Sequence, residues 1–168
     1  MFRQIFGNMP DVVKNLLILN VLFFLLKVVL EGQGINASQL LGMHYPSSPY
    51  FEPFQIITHF FMHADLMHIF FNMFALVVFG SHLERVWGAK KFLTFYFITA
   101  LGAAFLHLLV QGIEIYQIAG EFFPDVEIRI GQFDSQSISL EIFPAHLSEV
   151  GGMYYTSTVG ASGAVYGL

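Results

Sequence analysis

Apolar and polar positions divide this chain into long uncharged runs separated by short charged joints. Val12 to Leu30 is apolar for 19 residues, interrupted only by polar Asn15 and Asn20 and by Lys14 and Lys27 near its ends. At a rise of about 1.5 Å per residue it reaches about 28 Å, one hydrocarbon core, and both lysines can snorkel toward headgroups. A signal peptide has the same basic start and apolar middle, but no small-x-small cleavage site follows closely. Glu31 to Phe54 breaks the pattern with Gly32, Gly34, Pro46, Pro49 and Pro53 among Tyr45, Tyr50, Phe51 and Phe54. Its prolines exclude one continuous helix. Its aromatics suit a loop at the membrane interface, although an ordinary aromatic loop reads the same way. Asp65 is placed to cap a second helix, expected over 66–83. Phe92 to Val110 gives a third span, again 19 residues and uncharged, with Ala100, Gly102, Ala103 and Ala104 as a small-residue packing face. A last apolar run, 159–168, opens a fourth.

Between the third and fourth runs lies 111–158, expected as a long external loop. It holds seven of the twelve acids and one base, Arg129. Val126, Ile128 and Ile130 alternate with polar residues, as do Ile138, Leu140 and Ile142, with Gly131 and Asp134 between them. This is the pattern of a hairpin, and a disordered or amphipathic insertion fits it too.

Composition agrees with lipid as the solvent. Charged residues make up 11% of the chain and hydrophobic ones 55%, and the mean hydropathy is +0.63, against about 25% charged in a soluble domain. The expected fold class is therefore an all-α polytopic membrane protein. Without cysteine there is no disulfide or thiolate metal site. The seven lysines and arginines form no basic patch, which argues against nucleic acid as a partner. Arg3 and Lys14 flank the first span, Arg85, Lys90 and Lys91 lie between the second and third, and 31–54 has no base. The positive-inside rule then puts the N-terminus in the cytoplasm and the start of the fourth span near the external face.

Few residues inside these runs can do chemistry. His68 and Asn72 are four apart and share a helix face. Each carries an N–H donor, and two donors aimed at one point can hold a developing oxyanion. The same pair could instead bond across helices as packing glue. Ser162 sits in Gly160-Ala161-Ser162-Gly163 with no charge nearby. It is either a nucleophile or part of a small-residue contact face, since Gly163 and Gly167 make a G-x-x-x-G pair. His59 and His63, four apart and near Asp65 and His68, could line a wet approach, bond locally or hold a metal. They lack the Glu of H-E-x-x-H, and no metal or other cofactor is expected.

Taken together these stretches resemble the N-terminal part of a rhomboid intramembrane serine protease. The resemblance rests on His59-x-x-x-His63-x-x-x-x-His68-x-x-x-Asn72-Met73, on Gly80-x-x-Leu83-Glu84-x-x-x-Gly88 with Trp87, and on Gly160-x-Ser162-Gly163. It implies a rhomboid-like helical bundle of which about four of six core helices are present. It also implies a Ser–His dyad that cleaves transmembrane segments of other proteins within the bilayer, in an integral, plasma (inner) membrane protein. By the same resemblance Ser162 is the nucleophile, and His68 and Asn72 with the Ser162 backbone N–H bind the oxyanion. Tyr166 packs against the general-base histidine, and His59 and His63 sit on the approach, His59 helping to retain water. Gly160 and Gly163 frame the serine.

Two departures stand out. The 111–158 stretch is longer than the family core requires. The family's base histidine lies on a later helix, and none of the seven histidines here replaces it, His107 and His146 lacking the family context. A non-catalytic rhomboid-like binding or scaffold protein and a histidine-based metal-handling membrane protein are the alternatives. The expectation is that a fluorophosphonate labels Ser162 in a form continued through a later histidine-bearing helix, and does not label residues 1–168 alone. Equal labelling of both contradicts it.

Overall fold

The computed structural model describes residues 9–132, 138–144 and 147–160. Three of its helical stretches are long and apolar enough to cross a membrane, Asp11–Gly32, Leu66–Trp87 and Ala89–Ala119. The first is α1. Short α2 (Ala37–Leu41) and α3 (Gln55–Thr58) follow, the latter running into a 3₁₀ turn, His59–Phe61. The second span is built from α4 (Leu66–Ala75), a π-helical segment Leu76–Gly80, and α5 (Ser81–Trp87). Gly88, at φ +81°, turns the chain directly into α6 (Ala89–Ala119). Then come β1 (Glu127–Gln132), β2 (Ile138–Phe143) and α7 (Ser148–Tyr155).

The outer surfaces of the spans are apolar. Leu22, Leu26 and Val29 on α1, Phe70 and Phe74 on α4, and Leu101, Phe105 and Leu109 on α6 are all exposed. Such surfaces fit hydrocarbon as the neighbour. Between the spans Val13, Leu16, Phe60, Met73, Leu76, Phe92, Tyr96 and Ala100 form the main core. At Gly80 the helices approach so closely that a Cβ would stand 3.2 Å from Leu76, Phe92 and Val13 side chains. Of the expected small-residue face, Ala100 and Ala104 are buried, whereas Gly102 faces open space.

Two side chains bolt α1 to the second span, one at each end. At the start of α1 the Val12 and Val13 amides have no partner within the helix, as in any helix. Both donate to the buried Glu84 carboxylate, at 3.0 and 2.8 Å. Glu84 therefore does not end the second span, which runs on to Trp87 rather than stopping at 83. At the other end Lys27 turns inward instead of snorkelling. It is 7% exposed, and its ammonium donates to the carbonyls of His63, at 2.9 Å, and of Ala64. Lys14 stays at the surface beside Asp11.

The connecting segments are more ordered than their composition suggests. Within 31–54, Asn36 caps α2 by accepting from the Gln39 amide at 3.0 Å. Buried Gln55 ties the rest together. Its Oε1 accepts from the His44 and Glu52 amides, and its Nε2 donates to the Leu40 and Tyr50 carbonyls. The 111–158 stretch is not one loop. α6 continues through Gln111 to Ala119 despite Gly112, where a Cβ would stand 2.9 Å from the Tyr45 hydroxyl, and it ends at Gly120, which has φ +77°. At 31 residues it is about 46 Å long and overshoots a hydrocarbon core of about 30 Å. β1 and β2 then form an antiparallel hairpin with Ile128 opposite Ile142 and Ile130 opposite Leu140. α7 folds back so that Tyr154, Val150 and Leu147 join Tyr45, Ile115 and Val126 in a second buried cluster. Of the expected fourth span, Val159 and Gly160 are not helical, and 161–168 lie outside the described residues.

Replacing Glu84 by Ala leaves two α1 amides without their acceptor. The expected cost is about 2–4 kcal/mol, read from reversible unfolding in mixed micelles. A loss no larger than that of the exposed Glu149→Ala would contradict the cap.

Candidate active site

The site is assembled where the 3₁₀ turn meets α4. Asp65 caps α4 by accepting from the His68 amide at 2.8 Å, as its position in the sequence predicts. That amide, foremost, holds the Asp65 carboxyl below the usual carboxylate range. Capping starts the helix so that His68 and Asn72 fall one turn apart on one face.

His68 is fixed from its own N-terminal side. The Ala64 N–H donates to His68 Nδ1 at 3.3 Å. A backbone N–H can only donate, so Nδ1 is the unprotonated nitrogen and a neutral His68 carries its proton on Nε2. Asn72 is buried, and its Nδ2 has no hydrogen-bond partner among the described residues.

Two further candidate histidines precede this pair in the chain. His63 is fully buried, its ring meeting the His68 ring edge-on at 5.1 Å. His63 Nδ1 faces the Phe61 carbonyl at 3.3 Å, and its Nε2 has no partner among the described residues. His59 Nδ1 faces the Gln55 carbonyl at 2.7 Å and must donate to it. Burial holds both imidazoles below their usual range, that of His63 at about 4, with the nearby His68 adding to the effect.

The chain returns to this corner at its far end. Met43 and Thr158 exchange both backbone hydrogen bonds at 2.8 Å, and the Gly160 N–H donates to the His59 carbonyl at 2.9 Å. Gly160 has φ +125°, a conformation that a side chain would strain. Thr158 Oγ1 lies 2.7 Å from His107 Nε2. The described structure thus sets His63 against His68, one turn from Asn72 on α4, and Gly160 against His59. Ser162, Gly163 and Tyr166 lie outside the described residues.

A cleft of about 710 Å³ opens between α6 and α7, lined by His107, Gln111, Glu114, Glu149 and Thr158 among others. His68 and Asn72 do not line it. It is the capture of Thr158 and Gly160 by Met43 and His59, rather than this cleft, that links the chain's end to the histidines. Among the described residues no three of His, Cys, Asp and Glu come together to hold a metal ion.

A model of the Rhomboid domain matches residues 50–121, which hold both motifs of the second span and the histidines before it. The match covers less than half of the chain and makes it similar to rhomboid proteins over its second and third spans. Rhomboid-like protease 3 of Toxoplasma gondii is 34% identical over 73 residues, 43% of this chain and 28% of that protein. Rhomboid-like protein 15 of Arabidopsis thaliana is 38% identical over 66 residues, 39% of this chain and 16% of that protein. Rhomboid protease GlpG of Haemophilus influenzae is 28% identical over 109 residues, 64% of this chain and 56% of that protein. The matches thus span between about a sixth and about half of these relatives. Its three apolar spans make the chain an integral membrane protein.

Sequence reasoning missed three groups that shape the site. Lys27 reads as an interfacial anchor, Gln55 as a loop end, and Thr158 as part of a long loop. Only the interruption of an apolar run by a charge, at Lys27, was a usable signal.

The depressed His63 sets a pH dependence. Unfolded, it protonates near the ordinary value of about 6.5. Folded, it does so at about 4. Between these the unfolded state binds the extra proton, so its stabilising contribution is full above about pH 6.5 and is lost as pH falls toward 4. Unfolding in mixed micelles across this range should show that loss, and His63→Gln should flatten it. An equal slope in the variant would contradict the assignment.

Proposed function

We propose that this chain is part of a rhomboid that acts as an intramembrane serine endopeptidase and cleaves transmembrane segments of other membrane proteins. The observation that carries the proposal is the pair of donors on α4. His68 has its Nδ1 committed to Ala64, which leaves Nε2–H for another acceptor, and Asn72 Nδ2 is buried without a partner among the described residues. Helix glue would use these donors on a neighbouring span. An oxyanion hole keeps them in reserve for charge that develops only in the transition state.

In this reading Ser162 is the nucleophile. The Gly160 N–H is held by His59, and two residues of chain span at most about 7 Å, which supports placing the serine at this corner. Ser162 attacks the scissile carbonyl carbon while a histidine accepts its proton, a role given to none of the seven histidines of residues 1–168. His68, Asn72 and the Ser162 N–H stabilise the tetrahedral oxyanion. Collapse expels the amine leaving group with the proton returned by the base, and water then hydrolyses the acyl-enzyme. Tyr166 packs against the base. His59 and His63, neutral at physiological pH through burial, line the approach of that water. Gly160 and Gly163 let the backbone turn closely around the serine. The basic loops support a cytoplasmic N-terminus in a plasma (inner) membrane, with Ser162 near the external face.

Cleavage of a transmembrane reporter by the full-length protein in proteoliposomes tests the proposal. Ser162→Ala should abolish cleavage, and Asn72→Ala should lower kcat about 10²–10³-fold with little change in KM. Undiminished cleavage by Ser162→Ala would overturn it. A folded full-length protein that binds membrane partners without cutting any would favour a scaffold role.

A further inference from the structure

Lys27 lies near the C-terminal end of α1, where a lysine has an easy route to headgroups and water. It turns inward instead, at 7% exposure, and its ammonium donates to the His63 and Ala64 carbonyls, with Glu31 3.7 Å away at the rim. Burying an ammonium is costly unless it is well bonded. The peptide it grips has a second role. The His63 carbonyl and the Ala64 N–H are the two ends of one amide group, and that N–H is the donor to His68 Nδ1.

We propose that Lys27 is a positioning residue for the oxyanion donor: through the 63–64 peptide it locks His68 in the tautomer that carries its proton on Nε2. The lock rests on three contacts. Lys27 Nζ sits 2.9 Å from the His63 oxygen, a charge-assisted bond that polarises the amide and makes its N–H a stronger donor. The second bond, to the Ala64 carbonyl, fixes the plane of the next peptide, so that the Ala64 N–H cannot swing away. On the other side Asp65 Oδ1 holds the His68 amide at 2.8 Å, which fixes the imidazole's own attachment. The Ala64–His68 bond is long at 3.3 Å and partly solvent-facing, so it benefits from both restraints. With Nδ1 so occupied, Nε2–H is the donor left for substrate. The opposite tautomer would offer a lone pair there and repel an oxyanion.

The oxyanion part of this inference rests on the proposed protease reading, whereas the tautomer lock does not. ¹⁵N NMR of histidine-labelled full-length protein in nanodiscs, with His68 assigned by His68→Gln, reads the lock directly. Wild type should show His68 with Nδ1 unprotonated and Nε2 protonated. Lys27→Met should lower that tautomer ratio roughly five- to tenfold, and Lys27→Arg, which keeps charge and donors, should restore it. A wild-type His68 protonated on Nδ1, or an unchanged ratio in Lys27→Met, overturns the proposal. Should Lys27→Met not fold, Lys27→Gln decides by the same ratio, an intermediate value supporting the lock and an unchanged one refuting it. A changed tautomer with unchanged kcat would uphold the lock and count instead against His68 as oxyanion donor.

Discussion

Lipid offers no hydrogen bonds, so each backbone polar group that a membrane protein places at depth must find a partner inside the fold. In this chain the constraint is met by two charged side chains exchanged between neighbouring spans. Glu84, from the second span, accepts the first amides of α1, and Lys27, from α1, donates to the last carbonyls before α4. Each charge is buried, and each finds backbone groups that a helix or turn cannot satisfy by itself. The exchange sets the antiparallel register of the two spans and so decides where α4 begins.

That starting point governs the proposed chemistry. A helix begun at Asp65 places His68 and Asn72 on one face and leaves the Ala64 N–H beneath the His68 ring. The site is therefore a by-product of how a helix N-terminus is satisfied in a medium without water. The first loop adds a second layer. Gln55, with all its side-chain hydrogen bonds made inside 40–52, presents its own carbonyl to His59. The carbonyl of His59 in turn holds the Gly160 amide. Backbone carbonyls and side chains alternate along this path, and each fixes the next.

The spans were legible in the sequence because apolar length is a strong signal, and Asp65 was legible as a cap because a mostly apolar run follows it. The motif spacing was enough to bring out the family resemblance. The end of α6 was not legible: Gln111, Glu114 and Gln117 read as loop, yet polar residues at the end of a helix that leaves the bilayer cost nothing. The packing of 111–158 was hidden for a different reason. Tyr154 is anchored by Ser47 and Pro124, and its carbonyl by Ser48 and His44. Such contacts, three of them between segments about a hundred residues apart, leave no periodic trace. Lys27 was visible as an oddity, but its partners are main-chain carbonyls, which every residue has and no sequence motif marks.

The central claim is that α4 holds two donors ready for one oxyanion. The most direct measurement is an experimental structure of a reactive form of the protein with a phosphonate covalently attached to Ser162, because the phosphoryl oxygen occupies the oxyanion's place. The account predicts that oxygen within hydrogen-bond distance, about 2.7–3.1 Å, of both His68 Nε2 and Asn72 Nδ2. A phosphoryl oxygen turned away from α4, with the Asn72 amide bonded to a neighbouring helix instead, would contradict it.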